Sequence, residues 1–413
     1  MDDSTSGRGR QHVFEAVKER VDVLIAGAGF SGLVLAERFA AHGLRVAVVE
    51  RRGHIGGNAW DRTDANGVLY HVYGPHYFRT NSRRVREYLS RFTEWQRVTY
   101  RIQSWTHGRY WSFPVNLATW EQLQGRSGTE AEFAEWLDAV RIPCDAPANS
   151  EEFILSVAGP ELYERFFRGY TRKQWGREPR DLDASVCARI PIRTARDDRY
   201  LREEFQALPS EGYTRMFERM IDASPGLQVH LDTDFLEARR HFEARHTIYT
   251  GPVDAYFGYS HGRLPWRSLR FEAESFTGGD LERAGREAVS GRAGFWQPAL
   301  QVNYPNDHEF TRIVEIKHAT GQATPHTNIV REYPLADAPG REPYYPVPAP
   351  DARALYARYK ALAQGESGVT FCGRLATYQY YNMDQVTGMA LHEFDRLTSE
   401  GGPFAGLRER TGG

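Results

Sequence analysis

The pattern of hydrophobic and polar residues is most regular between residues 21 and 58. The apolar run VLIA leads into the glycine-rich segment GAGFSG, and apolar side chains then recur at helical spacing through residues 33–40. A second apolar run ends at Glu50. Continuous apolar runs are typical of strands that are buried on both faces. The pattern therefore predicts a strand, a turn, a helix and a second strand.

The glycines of this unit have the spacing G-x-G-x-x-G at Gly27, Gly29 and Gly32. In this context the first glycine permits a tight turn, the second lets a pyrophosphate approach the backbone, and the third lets the helix pack closely. The unpaired N–H groups of the first helical turn suit an anion. Glu50 lies about 20 residues farther on, where an acid binds ribose hydroxyls. The unit predicts a dinucleotide-binding domain.

A second glycine turn directly follows Glu50, and its sequence, residues 51–58, is RRGHIGGN. A loop at this place resembles flavoproteins in which a second loop passes along FAD, whereas NAD enzymes usually lack it. The predicted dinucleotide is therefore FAD.

Shorter elements are predicted beyond this unit. Strands are expected at residues 69–73, 98–104, 228–232, 247–250 and 369–373, with further short strands between residues 257 and 335. Helical spacing covers residues 83–92 after Asn81, residues 119–170 with Ser150 as one cap, residues 213–221 and residues 383–397. The rest of residues 171–224 is expected to be a loop rich in arginine. Residues 278–294 are charged and rich in glycine, and predict an inserted loop or helix. Residues 1–10 predict a disordered tail, and residues 12–20 a short helix.

Composition narrows the class of protein. A chain of 413 residues with 41% hydrophobic and 26% charged residues is expected to form two or three soluble domains. A formal net charge of −2 gives no general attraction to nucleic acid or to acidic membranes. The cysteines Cys144, Cys187 and Cys372 are widely spaced, so neither a disulfide framework nor a metal site is predicted. Without a long apolar stretch or a signal-peptide core, the prediction is a cytoplasmic protein.

Six short blocks occur in order along the chain. They are HIGGN at residues 54–58, YGPH at 73–76, FFRGYTRKQWG at 166–176, RIPIR at 189–193, YYP at 344–346 and GRL at 373–375. Together they resemble the prokaryotic UDP-galactopyranose mutases, and the resemblance extends over residues 21–398. The GYTRKQWG block is highly specific for this family.

The resemblance implies an α/β fold with three domains. One is a discontinuous Rossmann-like FAD-binding domain, another is an inserted helical domain, and the third is an antiparallel β-sheet domain that binds substrate. The FAD-binding domain is expected at residues 21–90, 225–256 and 343–400, and the helical domain at residues 117–175. The sheet domain is expected at residues 91–116, 176–224 and 257–342, with an insertion at 278–294. Residues 1–20 would form an N-terminal extension, and residues 401–413 a C-terminal tail.

The resemblance also implies an activity. Such enzymes interconvert the pyranose and furanose forms of UDP-galactose or a close analogue, with no net redox change although the FAD must be reduced. In the family mechanism, N5 of the reduced flavin attacks the anomeric carbon, releases UDP and holds the sugar covalently. NAD(P)H is a candidate reductant. The implied partners are a nucleotide-sugar substrate and a second copy in a homodimer, with no nucleic acid and no membrane.

A departing diphosphate requires positive charge nearby, and arginine suits bidentate phosphate contact. The resemblance assigns the catalytic roles to Arg189, Arg312, His76 and Arg79, with His76 expected against the isoalloxazine. The implied substrate-binding residues are Phe166, Phe167, Tyr170, Thr171, Trp175, Tyr200, Arg267, Asn303, Tyr345, Tyr380 and Asn382. The implied cofactor-binding residues are Gly27, Gly29, Phe30, Ser31, Gly32, Glu50, Arg51, Gly57, Asn58, His76, Arg374, Asn382 and Met383.

Three positions depart from the family pattern on the side expected to face the hexose. Arg79 replaces a second histidine, as in family members that accept a 2-acetamido sugar. Tyr100 stands where an asparagine is frequent, and Asn382 stands where an aspartate usually precedes Met383. The sugar therefore stays open between UDP-galactose, UDP-N-acetylgalactosamine and a deoxyhexose linked to dTDP or GDP.

Two other classes of protein have the same first domain. An FAD-dependent amine oxidase or dehydrogenase would not need arginines and tyrosines for a diphosphate. A non-catalytic nucleotide-sugar binding protein would not need intact flavin blocks. The mutase is the predicted function.

Overall fold

A computed structural model describes residues 18–407 of the chain. The predicted tail at residues 1–10, most of the predicted helix at 12–20 and the last residues of the predicted C-terminal tail lie outside this range. The end of that predicted helix is wrong, because Glu19 and Arg20 already belong to the first strand.

The strands and helices follow one another along the whole described range. The strands are β1 (Glu19–Ala26), β2 (Val46–Val49), β3 (Asp61–Thr63), β4 (Leu69–His71), β5 (Phe78–Thr80), β6 (Trp95–Arg97), β7 (Ile102–Thr106), β8 (Arg109–Phe113), β9 (Phe205–Pro209), β10 (Leu227–His230), β11 (Phe242–Tyr249), β12 (Trp266–Phe276), β13 (Gln301–Asn303), β14 (Arg312–Val314), β15 (Thr327–Ala336), β16 (Tyr345–Pro346) and β17 (Val369–Phe371). The α-helices are α1 (Phe30–Ala41), α2 (Arg83–Leu89), α3 (Leu117–Gln124), α4 (Glu130–Val140), α5 (Ser150–Leu162), α6 (Gly169–Trp175), α7 (Ser185–Ala188), α8 (Tyr213–Asp222), α9 (Phe235–Ala238), α10 (Val253–Tyr256), α11 (Gly278–Arg283), α12 (Arg286–Ser290), α13 (Lys317–Thr320), α14 (Pro350–Gly365) and α15 (Met383–Thr398).

A parallel sheet contains the predicted strand–turn–helix–strand unit. Its order is β10-β2-β1-β11-β17, and every neighbouring pair is parallel. Helices α1 and α15 cover one face, where the rings of Phe39 and Phe394 lie 5.2 Å apart. Phe235 and Tyr249 belong to the cluster on the other face. Burial on both faces explains the continuous apolar runs. The strands come from the three segments expected to form the FAD-binding domain, although the domain boundaries themselves stay a prediction.

A second sheet of seven strands has the order β16-β12-β15-β14-β13-β7-β8. It was expected to be antiparallel, and its neighbouring pairs are antiparallel except β13 and β7, which are parallel. This pair joins two segments far apart in the chain, so no hairpin sets its direction. The register places Asn303 opposite Ser104.

The predicted helical region is present as α3 to α6. Between α5 and α6 the residues Tyr163–Arg168 form a π-helix. Helix α5 is kinked at Gly159, whose φ is 76°, and a Cβ there would lie 2.7 Å from the carbonyl oxygen of Val140. The cap of α5 is Asn149 rather than Ser150, because the Asn149 side chain accepts from the N–H of Glu152 at 3.0 Å.

Other differences from the sequence predictions are local. Ser82, not Asn81, caps α2, and α2 ends at Leu89. The strand expected at residues 98–104 begins later, as β7 from Ile102, and a separate strand β6 ends before it at Arg97. The segment expected to be a loop contains β9, which pairs with both β5 and β6. The insertion forms two short helices, α11 and α12. Among residues 18–407, no helix has both the length and the apolar character that crossing a membrane requires.

Asp61 connects β3 to the start of α8. Its carboxylate is 3% exposed and accepts from the N–H groups of Tyr213 at 2.6 Å and Thr214 at 2.9 Å. Gly212, the residue before α8, has no side chain to do this. Asp61 therefore caps α8 from a distant part of the sequence.

We expect Asp61→Ala to lower the free energy of unfolding by about 1–2 kcal/mol, because two buried N–H groups lose their acceptor. Asp61→Asn should lose less, since its amide oxygen still accepts. Urea denaturation of the cofactor-loaded protein measures this, with Asp145→Ala in an exposed loop as the control. Equal stability of Asp61→Ala and the parent would contradict the capping role.

Candidate functional site

The carboxyl ends of four parallel strands meet at one edge of the first sheet. Gly27 follows β1, Glu50 follows β2, Thr250 follows β11, and Gly373 lies just beyond β17. A Cβ at Gly27 would lie 2.3 Å from the hydroxyl oxygen of Thr250, and a Cβ at Gly373 would lie 2.8 Å from that of Ser31. In open α/β sheets this edge is where ligands bind.

The two glycine turns lie against each other at this edge. A Cβ at Gly57 would lie 3.1 Å from the Cα of Gly29, and a Cβ at Gly32 would lie 1.9 Å from the carbonyl oxygen of Gly27. The N–H of Gly56 donates to the carbonyl of Ala28 at 2.8 Å. Only glycine leaves the shallow cradle between these turns open.

Helix α1 begins at this cradle with no side-chain cap and no acidic residue in its first turn. Its first N–H groups therefore suit the phosphates of a dinucleotide. Glu50 accepts from the N–H of Ala28 at 2.8 Å and from that of Arg52 at 2.9 Å. These bonds hold the carboxylate beside the cradle, and its remaining lone pairs suit ribose hydroxyls. The residues fit a dinucleotide cofactor.

Two expected cofactor contacts lie elsewhere. The ring of Phe30 packs against Phe217 at 4.8 Å in the core, so only its backbone faces the cradle. Arg51 is exposed and pairs with Glu342 at 2.8 Å. Its neighbour Arg52 also pairs with Glu342, at 3.0 Å, and donates in addition to Asn58 at 3.0 Å. The sequence motif does not specify which of two adjacent arginines turns toward the cradle.

A cavity with about 660 Å³ of empty space, partly open to solvent, lies between the helical region and the seven-stranded sheet. The predicted substrate and catalytic residues that line it are Phe166, Phe167, Tyr170, Thr171, Trp175, Arg189, Tyr200, Asn303, Arg312, Tyr345 and Tyr380. They come from separate parts of the chain between residues 166 and 380, and folding brings them together.

Arg312 is held in the cavity wall by a buried carboxylate. Its Nε and Nη2 donate to the same oxygen of Glu332 at 2.9 and 2.7 Å. Glu332 is 1% exposed, and its other oxygen has no hydrogen-bond partner among the described residues. Burial raises the pKa of Glu332, and Arg312 opposes that shift. The pair fixes the guanidinium before any ligand binds.

Arg189 lies at the mouth of the cavity. It follows α7, is exposed, and its guanidinium carbon lies 5.2 Å from the centre of the Tyr380 ring. Burial raises the pKa of the Tyr380 hydroxyl, but nearby arginines, Arg189 first and Arg312 second, outweigh it and lower that pKa. The cavity therefore has a positive potential suited to a diphosphate.

His76 and Arg374 lie where the cavity adjoins the cradle. The Nδ1 of His76 lies 2.9 Å from the carbonyl of Gly74, so Nδ1 carries the proton and Nε2 is left as an acceptor. The His76 backbone is held by His71, which accepts from its N–H at 3.1 Å. Burial first, with Arg374 and Arg312 adding to it, lowers the pKa of His76 to about 4. The ring is neutral at pH 7.

The remaining predicted residues do not line the cavity. Arg267 donates to the carbonyls of Gln174 at 2.9 Å and Lys173 at 3.2 Å, and so caps the end of α6. Arg79 pairs with Glu203 at 2.8 Å. Asn382 caps α15, and the Met383 side chain packs against the main core. Substrate contact by Arg267 is not supported by this placement, because its N–H groups serve the helix end.

Four residues of the cavity wall were not predicted. They are Phe113, Gln174, Ile190 and Gln301. Gln174 and Ile190 lie inside recognised blocks, next to predicted residues. Gln301 is two positions from Asn303 on β13, so strand alternation could have identified it. Nothing in the sequence around Phe113 distinguishes it from a core residue.

Comparisons with known proteins show similarity over most of the chain. A family model described as UDP-galactopyranose mutase matches residues 165–380, and one for an NAD(P)-binding Rossmann-like domain matches residues 25–92. A probable UDP-galactopyranose mutase from Klebsiella pneumoniae is 36% identical over 385 residues, 92% of this chain and 95% of the relative. A dTDP-fucopyranose mutase from Escherichia coli is 32% identical over 371 residues, 88% of this chain and 94% of the relative.

The fold also matches a solved structure. A crystal structure of reduced UDP-galactopyranose mutase superposes with a TM-score of 0.69 at 17% identity, covering 94% of this chain and 98% of the other. At this identity the match concerns the fold alone. The predicted fold class, α/β with a Rossmann-like domain, is confirmed.

We expect Arg312→Met to lower the free energy of unfolding by about 3 kcal/mol at pH 8, because it leaves the Glu332 carboxylate buried without a partner. The loss should be smaller at pH 5, where that carboxyl takes up a proton more readily. Arg312→Met combined with Glu332→Gln removes both charges and should recover most of the loss. Denaturation curves of the three proteins test this, and equal losses in the single and double variants would contradict it.

Proposed function

The chain belongs to the UDP-galactopyranose mutase family, the isomerases that its sequence blocks resemble, and we propose that it interconverts the pyranose and furanose forms of UDP-galactose or a close analogue with bound FAD. The observation that carries the proposal is the cavity in which Arg189 and Arg312 converge with four tyrosines beside a dinucleotide cradle. An FAD-dependent oxidase would not require this concentration of diphosphate-binding groups.

The cradle of Gly29, Gly57 and the N-terminus of α1 would hold the FAD pyrophosphate, and Glu50 would hold its ribose. When bound, reduced FAD would supply the nucleophile of the reaction. Arg374, which donates to the carbonyl of Tyr344 at 2.5 Å, would contact the cofactor near the cavity. The residues of this chain bind and orient both partners of the reaction.

The arginines stabilise the departing diphosphate. Arg312 is already oriented by Glu332, so its charge needs little reorganisation when the anion forms. Arg189 is exposed and can approach the other face of the phosphates. Tyr345 and Tyr380, whose rings lie 5.5 Å apart, would donate their hydroxyls, as would Tyr200.

The nucleobase would stack on Tyr170 within the aromatic wall formed by Phe166, Phe167 and Trp175. Stacking and exclusion of water by these rings fix one end of the substrate. His76, neutral and with Nε2 free to accept, would orient the reacting end, and Asn303 would contact the sugar. A neutral His76 is not expected to act as the proton donor at pH 7.

The identity of the hexose is the finer part of the proposal. Tyr100 is fully buried, and its hydroxyl donates to the carbonyl of Ala207 at 2.9 Å. It therefore offers the sugar no polar contact, unlike the asparagine frequent in the family. The Arg79 guanidinium already forms an ion pair with Glu203. Together with the dTDP-fucopyranose mutase relative, these features support a 2-acetamido sugar or a deoxyhexose as the alternative to galactose.

Homodimer formation, a cytoplasmic location and reduction by NAD(P)H remain part of the proposal, on the strength of the family resemblance. The requirement for reduced FAD is also part of the proposal.

An anaerobic turnover assay identifies the substrate. The dithionite-reduced enzyme is offered UDP-galactofuranose, its 2-acetamido analogue and dTDP-fucofuranose in parallel, and the products are separated by chromatography. We expect one furanose to become its pyranose only when the flavin is reduced. Absence of conversion of all three by a protein with reducible FAD would reject the mutase proposal.

Arg189→Ala should lower kcat/KM by about 100-fold or more, because it removes a charge that stabilises the leaving diphosphate. Arg196→Ala is the matched control, since Arg196 lies on the same segment but pairs with Glu121 at 2.6 Å. Bound FAD, measured by absorbance, should be unchanged in both variants. Parental activity of Arg189→Ala would remove this residue from the mechanism.

A further inference from the structure

Lys173 belongs to the GYTRKQWG block but does not line the cavity. The sequence uses arginine for nearly all of its 52 basic residues, and lysine occurs only at positions 18, 173, 317 and 360. A lysine inside the most specific block therefore calls for a physical reason, and its surroundings provide one.

The Lys173 ammonium is enclosed by backbone carbonyls of residues 304–310, which we call the carbonyl loop. Four carbonyl oxygens lie within hydrogen-bond distance of its three N–H groups, those of Tyr304, of Phe310 at 3.0 Å, and of Asp307 and His308 at 3.2 Å each. Burial lowers the pKa of Lys173 to about 8, with the Asp307 carboxylate opposing. At pH 7 the side chain is still predominantly an ammonium ion.

The carbonyl loop depends on a compact cation. Four carbonyl oxygens that point at one place repel one another unless a donor lies between them. His308 is in the left-handed region, with φ at 63°, a conformation that costs energy for a residue other than glycine. An ammonium is a point charge that bonds in several directions, whereas the planar fork of arginine does not match this arrangement.

The contact joins the two sides of the cavity. Lys173 is on α6, which also carries Tyr170 and Trp175. The carbonyl loop connects β13 with β14, and these strands carry Asn303 and Arg312. The nucleobase side of the cavity is thereby tied to its diphosphate and sugar side by one charged group.

The carbonyl loop also packs against the start of α6. The side-chain amide of Asn306 donates to the carbonyl of Arg165 at 3.0 Å and to the Thr106 hydroxyl at 3.1 Å. A Cβ at Gly169 would lie 2.4 Å from the side-chain oxygen of Asn306. This close contact fixes the position of the carbonyl loop, and the hydrogen bonds from Lys173 hold the loop around the ammonium group.

We propose that Lys173 is a positioning residue for the mutase reaction, and that its ammonium within the carbonyl loop sets the spacing between the nucleobase-binding helix and Arg312. The proposal rests on the function proposed above, in which one nucleoside diphosphate spans both sides. Because the dinucleotide cradle is on a different sheet, FAD binding does not depend on this contact.

Lys173→Met keeps the length and apolar stem of the side chain but removes the charge. We expect the Kd for UDP, measured by calorimetry on the FAD-loaded enzyme, to rise about 10-fold. We expect kcat/KM to fall about 100-fold, as for a displacement of roughly 1 Å at the reacting groups. The FAD content should equal that of the parent. Lys173→Arg should also be impaired, because the guanidinium does not fit between the carbonyls.

Lys317→Met is the matched control. Lys317 also donates to backbone carbonyls, those of Gly294 at 2.7 Å and Thr324 at 2.6 Å, but it is on α13, which does not line the cavity. This variant should lose thermal stability and keep its UDP affinity, KM and kcat. A purely structural role for Lys173 would give the two variants the same behaviour.

Rescue by added amines separates positioning from general damage. In Lys173→Ala, n-propylammonium should restore UDP affinity and turnover, because it can place N–H donors between the carbonyls. Tetramethylammonium has no N–H and should not. If Lys173→Met or Lys173→Ala cannot be isolated, Lys173→Gln, which retains two N–H donors without the charge, provides the same measurements.

The proposal would be overturned if Lys173→Met kept the UDP affinity and turnover of the parent. It would also be overturned if the losses of UDP affinity and turnover were not rescued by any alkylammonium and were reproduced by Lys317→Met. UDP affinity keeps this test separate from that of the proposed function. If the parent binds UDP but converts no sugar, the mutase function fails, while the effect of Lys173 on UDP affinity still decides the positioning role.

Discussion

The arrangement of the cavity depends on the buried pair of Arg312 and Glu332. The Arg312 guanidinium loses hydration in the cavity wall, and the buried Glu332 carboxylate, with one oxygen unpartnered, loses even more hydration. Together they leave the guanidinium with one edge bonded and the rest directed at the cavity. β14 and β15 are adjacent in the seven-stranded sheet, with Arg312 directly opposite Glu332. The sheet register therefore determines the position of the charge that a departing diphosphate needs.

The two sheets provide two different binding sites. The parallel sheet presents glycine turns and a helix N-terminus at its carboxyl edge, which suits a dinucleotide phosphate. The seven-stranded sheet and the helical region enclose an aromatic and cationic cavity. His76 and Arg374 lie at their junction, and the loss of hydration there keeps the imidazole neutral. Two binding sites with different chemistry thus share one boundary.

The departures from the family pattern acquire a physical meaning only in the fold. Tyr100 stacks on Tyr77 at 4.4 Å, so a position expected to face the hexose contributes to the core instead. Arg79 is neutralised by Glu203 rather than free. Neither residue lines the cavity that holds the aromatic wall and the paired Arg312.

Features that depend on neighbours along the chain follow directly from the order of the amino acids. Glycine spacing predicted the first turn, continuous apolar runs predicted β1 and β2, and helical spacing predicted α15 within one residue of its end. The tertiary structure decided the features that depend on distant partners. It turned the Phe30 ring into the core, used Arg267 to cap α6, made β7 and β13 parallel, and placed Phe113 in the cavity wall. Local periodicity encodes which face of an element is apolar, but the partner of that face is set by long-range packing.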